Sequence, residues 1–437
     1  MKPGTRFVLD ASVRRRGALL IGGSPLRLVR LGAAGSRLLA RWLDGEALSD
    51  SPGELRLARK LVDAGLVHPQ PPPGPKPADV TLVVPVKDNA EGVRRLVEAT
   101  PEVGARIVVD DGSRESPPGA SVRHPHPLGP AAARNAGWRR AETDLVAFLD
   151  ADTVPEPGWL DALLPHFGDP AVVAVAPRVR SAARPGSVGA YERTRSALDL
   201  GARPAPVRPM SRVSYVPSAA LVVRRSALSA VDGFDPDLRF GEDVDLVWRL
   251  LEIGAVRYEP AAVVVHEPRA TVRSWLRQRF DYGTSAAPLS ARHPGRLGPA
   301  RLSAWVALAW VLLAAGRPLA GAVLAAGGAA SLTRRLRDIP AAESLRLAAR
   351  GQLGGGRLLT EAVRRAWWPL LLPTRRGRRV LAAAFAPCAV RALGRPPAWL
   401  ALRILDDLAY CAGVWAGCVR HRTAAPLLPR FTEATPR

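Results

Sequence analysis

At 437 residues the chain is long enough for two or three domains and an ample buried core, and its formal charge of +23 at pH 7 points toward nucleic acid or an anionic membrane face. Only Lys2, Lys60, Lys76 and Lys87 are lysines, and the 5% of aromatic residues show no interleaving with basic ones of the kind that stacks bases, so nucleic acid is set aside as a partner. Cys388, Cys411 and Cys418 form no CxxC pair, which argues against a disulfide scaffold or structural zinc, and no apolar signal-peptide core follows Met1, which makes an intracellular location the expectation.

Residues 18–31 suggest a β-hairpin turning near Gly22-Gly23-Ser24-Pro25. Two helical patterns follow, the first marked by Leu38, Leu39 and Trp42, the second by Leu55, Ala58, Leu61 and Val62 and stopping near Gly65. Residues 1–68 thus resemble the small winged-helix-like, PqqD-like modules that present precursor peptides; a cap on the next domain is an equal reading. The six prolines of residues 69–78 (PQPPPGPKPA) lack amide donors and fix φ, which predicts a semi-rigid linker.

From Val80 the pattern alternates: strand 80–86, helix 91–99, strand 105–110, helix 129–142, strand 145–149 and a further apolar run 171–176. Such alternation predicts an α/β domain over 79–290 built on a parallel sheet, and with no GxGxxG after its first strand it does not favour dinucleotides. Each of the first three strands ends in polar residues: Pro85-Val86-Lys87-Asp88-Asn89, Asp110-Asp111-Gly112-Ser113 and Asp150-Ala151-Asp152. Stacked along one sheet edge, these acids make a cleft short of bases, suited to Mg²⁺ or Mn²⁺ bridged to phosphate oxygens. Arg134 can give a guanidinium to a diphosphate, or form a structural ion pair with the Asp110-Asp111 turn.

Val213 to Arg224 reads as a strand through the site. Glu242, Asp243 and Asp245 cluster at the start of a helix, where exposed amides and the macrodipole favour acids on structural grounds alone. Ala262-Val-Val-Val-His266 reads as a short buried strand ending in histidine.

The order VVPVKDN, VVDDGS, AARNAG, FLDAD and FGEDVDLVWRL, over roughly 78–285, resembles the inverting glycosyltransferases of family two, with the GT-A (Rossmann-like) fold. That resemblance implies a nucleotide-sugar site that includes Pro85, Lys87 and Arg134, with Asp110 or Asp111 on the base or ribose and Asp150 on the ribose. It also implies a divalent metal at Asp152 with His266 as a second ligand, and Asp243, beside Glu242, as the general base; Asp245 is an acceptor-side candidate. Gln278 and Arg279 resemble the QxxRW region of processive relatives, without its tryptophan. With the peptide-module-like front, the chain resembles family-two enzymes that move glucose from UDP-glucose onto a peptide-derived redox cofactor as a β-1,4-linked chain. A polyprenyl phosphate or cell-wall glycan acceptor, a nucleotidyltransferase and a non-catalytic peptide- or membrane-binding scaffold are the alternatives.

Residues 303–332 are apolar apart from an interruption at Arg317-Pro318. Either half is shorter than the ~20 residues a bilayer requires, so a kinked span or a re-entrant hairpin is expected, beside an anionic surface that suits the flanking arginines. Trp367 to Leu372 and Pro397 to Trp415 add further apolar faces to a helical region over 291–437.

Overall fold

The computed structural model describes residues 1–432, and the chain forms two compact units, Met1–Pro268 and Arg269–Arg437. The first begins with β1 (Arg6–Leu9), β2 (Arg14–Arg16), β3 (Leu19–Gly22), β4 (Arg27–Arg30), α1 (Ala33–Leu43) and α2 (Pro52–Asp63). β3 and β4 pair as the expected hairpin, and β2 adds to the other side of β3. Leu39, Trp42, Ala58, Leu61 and Val62 bury together with Phe7 and Leu20, because their three- and four-residue spacing puts them on facing helix stripes.

The proline-rich stretch is not wholly irregular. Its first two residues belong to β5 (Val67–Gln70), which pairs antiparallel with β1 so that Pro69 lies opposite Phe7. Proline is tolerated there because a two-stranded sheet consists of edges. Residues 1–70 are also fastened to the α/β core. Arg59 grips both oxygens of Asp169 at 2.6 and 2.7 Å, Arg208 donates to the Asp63 carbonyl at 2.6 Å, and Arg212 lies 3.3 Å from the buried carboxylate of Asp10.

The core continues through β6 (Val80–Val86), α3 (Ala90–Glu98), β7 (Ala105–Asp110), β8 (Ala120–Arg123), α4 (Pro130–Trp138), β9 (Leu145–Leu149), β10 (Thr153–Pro155) and α5 (Trp159–Leu163). It then runs through β11 (Val172–Ser181), α6 (Gly186–Arg195), β12 (Ala205–Pro206), β13 (Ala220–Arg224), α7 (Arg225–Ala230), α8 (Glu242–Ile253) and β14 (Ala255–His266). One sheet has the order β10-β14-β11-β13-β9-β6-β7-β8, with β12 also on β14.

The fold is α/β, with the GT-A-type core the sequence suggests, but the sheet is mixed rather than parallel. β6 pairs parallel with β7 and β9, and β11 with β14, whereas β13 runs antiparallel between β9 and β11. The segment joining β11 to β13 leaves and re-enters at the same edge, so the strand must run back. Nor does the chain form a strand from Val213: only Ala220–Arg224 is extended in the sheet, and Pro217, lacking an amide, ends any ladder before it. β6 is apolar on both faces because both are covered. Val80, Leu82 and Val84 share a cluster with Val93 and Leu96 of α3, while Val83 packs directly against Gly137 of α4.

The second unit comprises α9 (Val272–Thr284), α10 (Ala286–Arg292), β15 (Arg301–Leu302), α11 (Ala304–Ala314), α12 (Pro318–Arg335), α13 (Ala341–Ala362), α14 (Trp368–Leu371), α15 (Arg375–Ala392), α16 (Ala398–Arg420) and β16 (Arg430–Phe431). The sequence draws its boundary at 290; the units divide earlier because α9 packs on α16, where Gly283 and Gly413 let the two backbones touch. α11 and α12 fold back on each other, Gly321 meeting the Ala309 carbonyl, so the apolar stretch is a helical hairpin and not one kinked span. Among the described residues no helix is long and apolar enough to cross a membrane.

Candidate active site

Because β6, β7 and β9 run parallel in close register, with Val86 beside Asp110 and Val83 beside Phe148, their carboxyl ends open onto one edge. The three polar turns are tied to one another there. Asn89 caps α3 by accepting from the Gly92 amide at 3.0 Å and donates to the Ala151 carbonyl at 3.1 Å, joining the first turn to the third. Asp88 accepts from the Arg114 amide at 2.9 Å, and its own amide donates to the Ser113 hydroxyl at 2.9 Å, joining the first to the second. Pro85 is half-buried in β6, and Lys87 is exposed with its Nζ 3.7 Å from Asp88.

The second turn spends much of its acidity internally. Asp111 accepts from His124 Nδ1 and from the Leu128 and Gly129 amides, each at 2.8 Å, and so braces the loop that leads into α4. Those partners occupy both oxygens, and the structure gives Asp111 a bracing role where the sequence left it beside Asp110 as a base or ribose ligand. Asp110 is wholly buried: Oδ1 accepts from the Ser113 amide at 2.9 Å, while Oδ2 lies 3.4 Å from Arg123 Nε. Burial alone would raise its carboxyl, but Ser113 and Arg123 hold it below the usual aspartate range. Gly112 turns the chain here at φ +71°, where a Cβ would strike the Pro127 backbone.

The centre of the edge is Arg134. The guanidinium is buried and does not reach the Asp110-Asp111 turn; it bridges Asp150 Oδ1 at 2.6 Å and Glu242 Oε1 at 2.9 Å, with its carbon 5.3 Å from the Phe234 ring centroid. α4 carries Arg134 to the end of the third strand, whose Asp150 is also nearer in sequence than the Asp110-Asp111 turn. Despite burial, the surrounding carboxylates keep it firmly protonated.

Asp243 adjoins this group. Its Oδ1 accepts from the Val244 amide at 2.8 Å, and the Ser218 backbone also hydrogen-bonds it. Burial raises the carboxyls of both Asp243 and Glu242, the latter to about 7, where the Asp243 charge adds to the effect and Arg134 opposes it. Three carboxylates thus share one guanidinium, and the centre carries surplus negative charge that a proton or a cation can balance. Asp245, on the same helix, is buried and held by Arg249 at 2.8 Å, which also donates to the Gly233 carbonyl at 2.7 Å. It braces α8 and is not presented to an acceptor.

Asp152 and His266 meet because β10 pairs antiparallel with the end of β14, setting Thr153 opposite His266; Asp152 Oδ2 and His266 Nε2 lie 3.5 Å apart. Among the described residues no group of three or more His, Cys, Asp or Glu side chains is placed to hold a metal. Two neighbouring donors of this kind fit Mg²⁺ or Mn²⁺, which would take further ligands from water and substrate phosphates. In the second unit, Gln278 is half-buried on α9, and Arg279 is buried 3.3 Å from Asp406 and beneath the rings of Trp275 and Tyr282. That internal pairing removes Arg279 from the acceptor-side candidates.

Asn135 has a role the sequence did not disclose. Its side chain accepts from the Phe234 amide at 2.9 Å and donates to the Phe234 carbonyl at 2.7 Å, clamping the turn before α8 onto α4. Its place beside Arg134 in Arg-Asn-Ala-Gly was the available signal.

Residues 81–229 match the family described as glycosyl transferase family 2, and an α/β sheet with an acidic carboxyl edge is an architecture suited to that chemistry: the class is a sugar transferase. Two pre-mycofactocin glycosyltransferases, from strains CDC 1551 / Oshkosh and ATCC 25618 / H37Rv of Mycobacterium tuberculosis, are each 45% identical over 450 residues, covering 95% of this chain and 95% of the relative. The succinoglycan biosynthesis protein ExoU of Rhizobium meliloti is 27% identical over 215 residues, 42% of this chain and 59% of its own. Among solved structures, a mannosyltransferase of Pyrobaculum calidifontis in complex with GDP-Man and Mn²⁺ is 18% identical with a TM-score of 0.45, over 81% of this chain and 89% of that one. The chain belongs to glycosyltransferase family 2, in the group formed with the mycobacterial pre-mycofactocin glycosyltransferases.

Proposed function

We propose that this glycosyltransferase is metal-dependent and inverting, and that it moves glucose from UDP-glucose onto a peptide-derived redox cofactor of the mycofactocin type, building a β-1,4-linked chain at the cytoplasmic face of the membrane. The acceptor is that named for the 45% identical relatives, and the donor and linkage follow from the same resemblance. The observation that carries the mechanism is the convergence of Asp150, Glu242 and Asp243 around Arg134, where the end of β9 meets the start of α8.

In this mechanism Asp243 removes the proton of an acceptor hydroxyl as that oxygen attacks the anomeric carbon from the face opposite the leaving group. Its raised carboxyl is a stronger base than an ordinary aspartate. Glu242 and Arg134 fix its position and charge, Asp150 meets the ribose, and Asp152 with His266 would hold the cation. When bound, that cation supplies charge stabilisation to the departing diphosphate. The surplus negative charge of the centre also favours the positive charge that develops at the anomeric carbon.

The test is purified protein with Mn²⁺, a panel of nucleotide sugars and the peptide-derived acceptor, read by the nucleoside diphosphate released and by the mass of the product. UDP release with stepwise hexose additions is expected. Pyrophosphate release, or transfer unaffected by chelator, overturns the reading.

A further inference from the structure

The two units differ sharply in charge. Residues 269–437 hold 27 arginines and no lysine against seven aspartates and glutamates, so that +20 of the formal +23 lies in the helical unit. Among the described residues, this unit also holds 18 of the 24 exposed large apolar side chains. Six of them lie on the α11–α12 hairpin, where Trp305 is 61% exposed, Leu319 82% and Val323 72%, with Leu308, Val311 and Leu313 beside them.

The other side of α11 packs against α13. Val306 packs against Gly355, Trp310 lies over Gly356, and the Trp310 indole donates to the Gln352 carbonyl at 3.0 Å. Ala304–Ala314 carries no polar side-chain group besides the indole N–H of Trp305 and Trp310. A helix that is apolar on every side belongs in an apolar medium, yet half of this one faces outward.

We infer that the hairpin is a single-leaflet anchor, lying flat in the interface of an anionic membrane with its uncovered side in the acyl boundary. Length excludes crossing: at 1.5 Å per residue α11 spans roughly 16 Å and α12 roughly 27 Å, against about 30 Å of hydrocarbon. Charge excludes a tip-first plunge, because Arg317 occupies the turn between the two helices, is exposed, and would be carried to the greatest depth. Arg301, Arg317, Arg334 and Arg335 instead mark the start, turn and end of the hairpin, all within snorkelling reach of lipid phosphates when it lies parallel to the surface. The fifteen residues between Arg301 and Arg317 and the sixteen between Arg317 and Arg334 carry no charge. The pattern is a basic frame around an apolar face, and an anionic leaflet offers both complements at once. This mode of attachment deepens the membrane localisation proposed above and is independent of the transfer chemistry.

The full chain is mixed with phosphatidylcholine vesicles with and without 30% phosphatidylglycerol, sedimented, and compared with the double variant Leu319→Ser/Val323→Ser and with Arg317→Ala. Both substituted apolar residues are largely exposed, at 82% and 72%, so the fold should be kept, and circular dichroism and transfer to a soluble acceptor check this for each variant. Expected are binding that needs the anionic lipid and weakens in high salt, at least a tenfold loss in the double variant, and a smaller loss in Arg317→Ala. Trp305 fluorescence, isolated by difference against Trp305→Phe, is quenched more by lipids brominated near the headgroup than near the chain end. The inference is overturned if the chain stays in the supernatant, if the double variant binds as tightly as the parent, or if deep quenchers act more strongly. It is equally overturned if light scattering shows a dimer that the double variant dissolves, since a second copy would then cover the face, or if the basic unit binds nucleic acid in preference to vesicles.

Discussion

At the scale of single residues, the chemistry turns on how little positive charge serves the carboxylates at the sheet edge. Asp243→Asn keeps the shape and removes the proposed base. Transfer is expected to fall by about 10²- to 10⁴-fold while UDP-sugar affinity, measured by calorimetry, stays within a few-fold. In the native chain, activity should fall as pH drops through about 7, because the Glu242–Asp243 pair takes up a proton there, Glu242 being raised by burial and the Asp243 charge and Asp243 by burial and the Asp150 charge. Stability has the opposite sign. Between the ordinary glutamate value and about pH 7 the folded chain holds a proton that the unfolded chain has released, so this stabilising contribution is present at low pH and is lost as pH rises to 7. Thermal melts from pH 5 to pH 8 should therefore slope less in Glu242→Gln than in the parent. Replacing Arg134 by methionine leaves buried carboxylates without their partner and should cost about 3–5 kcal/mol by denaturant unfolding, unless protonation at low pH relieves it.

At the scale of elements, the site depends on turns that hold strands and helices in register. Gly233, at φ +64°, lies where a Cβ would come within 2.5 Å of both Asn135 Oδ1 and Trp138 Nε1. Gly233→Ala should thus push the turn off α4 and destabilise the chain by about 1–3 kcal/mol, and it should impair transfer beyond that loss because α8 carries Asp243, the proposed base. The acidic strand ends were legible in the sequence because three apolar runs each stopped at carboxylates, and parallel neighbours necessarily expose their carboxyl ends together. What those acids touch was not legible. Whether Asp111 meets a ligand or the loop at 124–129, and whether Arg134 pairs with Asp110 or with Asp150, depends on how far α4 carries its residues across the sheet. Helical spacing says nothing of that. Asp245 and Arg279 were misplaced for the same reason: charge at a helix surface does not reveal the partner, Arg249 or Asp406, that packing brings to it. The direction of β13 was hidden too, since an apolar strand reads the same in either orientation.

At the scale of the whole molecule, the division of labour follows charge. The nearly neutral first unit holds the acidic site, and the arginine-rich second unit holds the uncovered apolar hairpin. Within the first unit, the reversed strand has a consequence for turnover. Because β13 starts where β9 ends, the few residues leading into it reach both halves of the chemistry: the Ala219 carbonyl accepts from the Asp150 amide at 3.1 Å, and the Ser218 backbone hydrogen-bonds Asp243. If the donor settles against Asp150 and Asp243 is the base, as proposed above, one short peptide joins the two, and the donor is expected to bind before the acceptor. Initial-rate plots with both substrates varied should intersect rather than run parallel, with UDP competing against the donor and not against the acceptor.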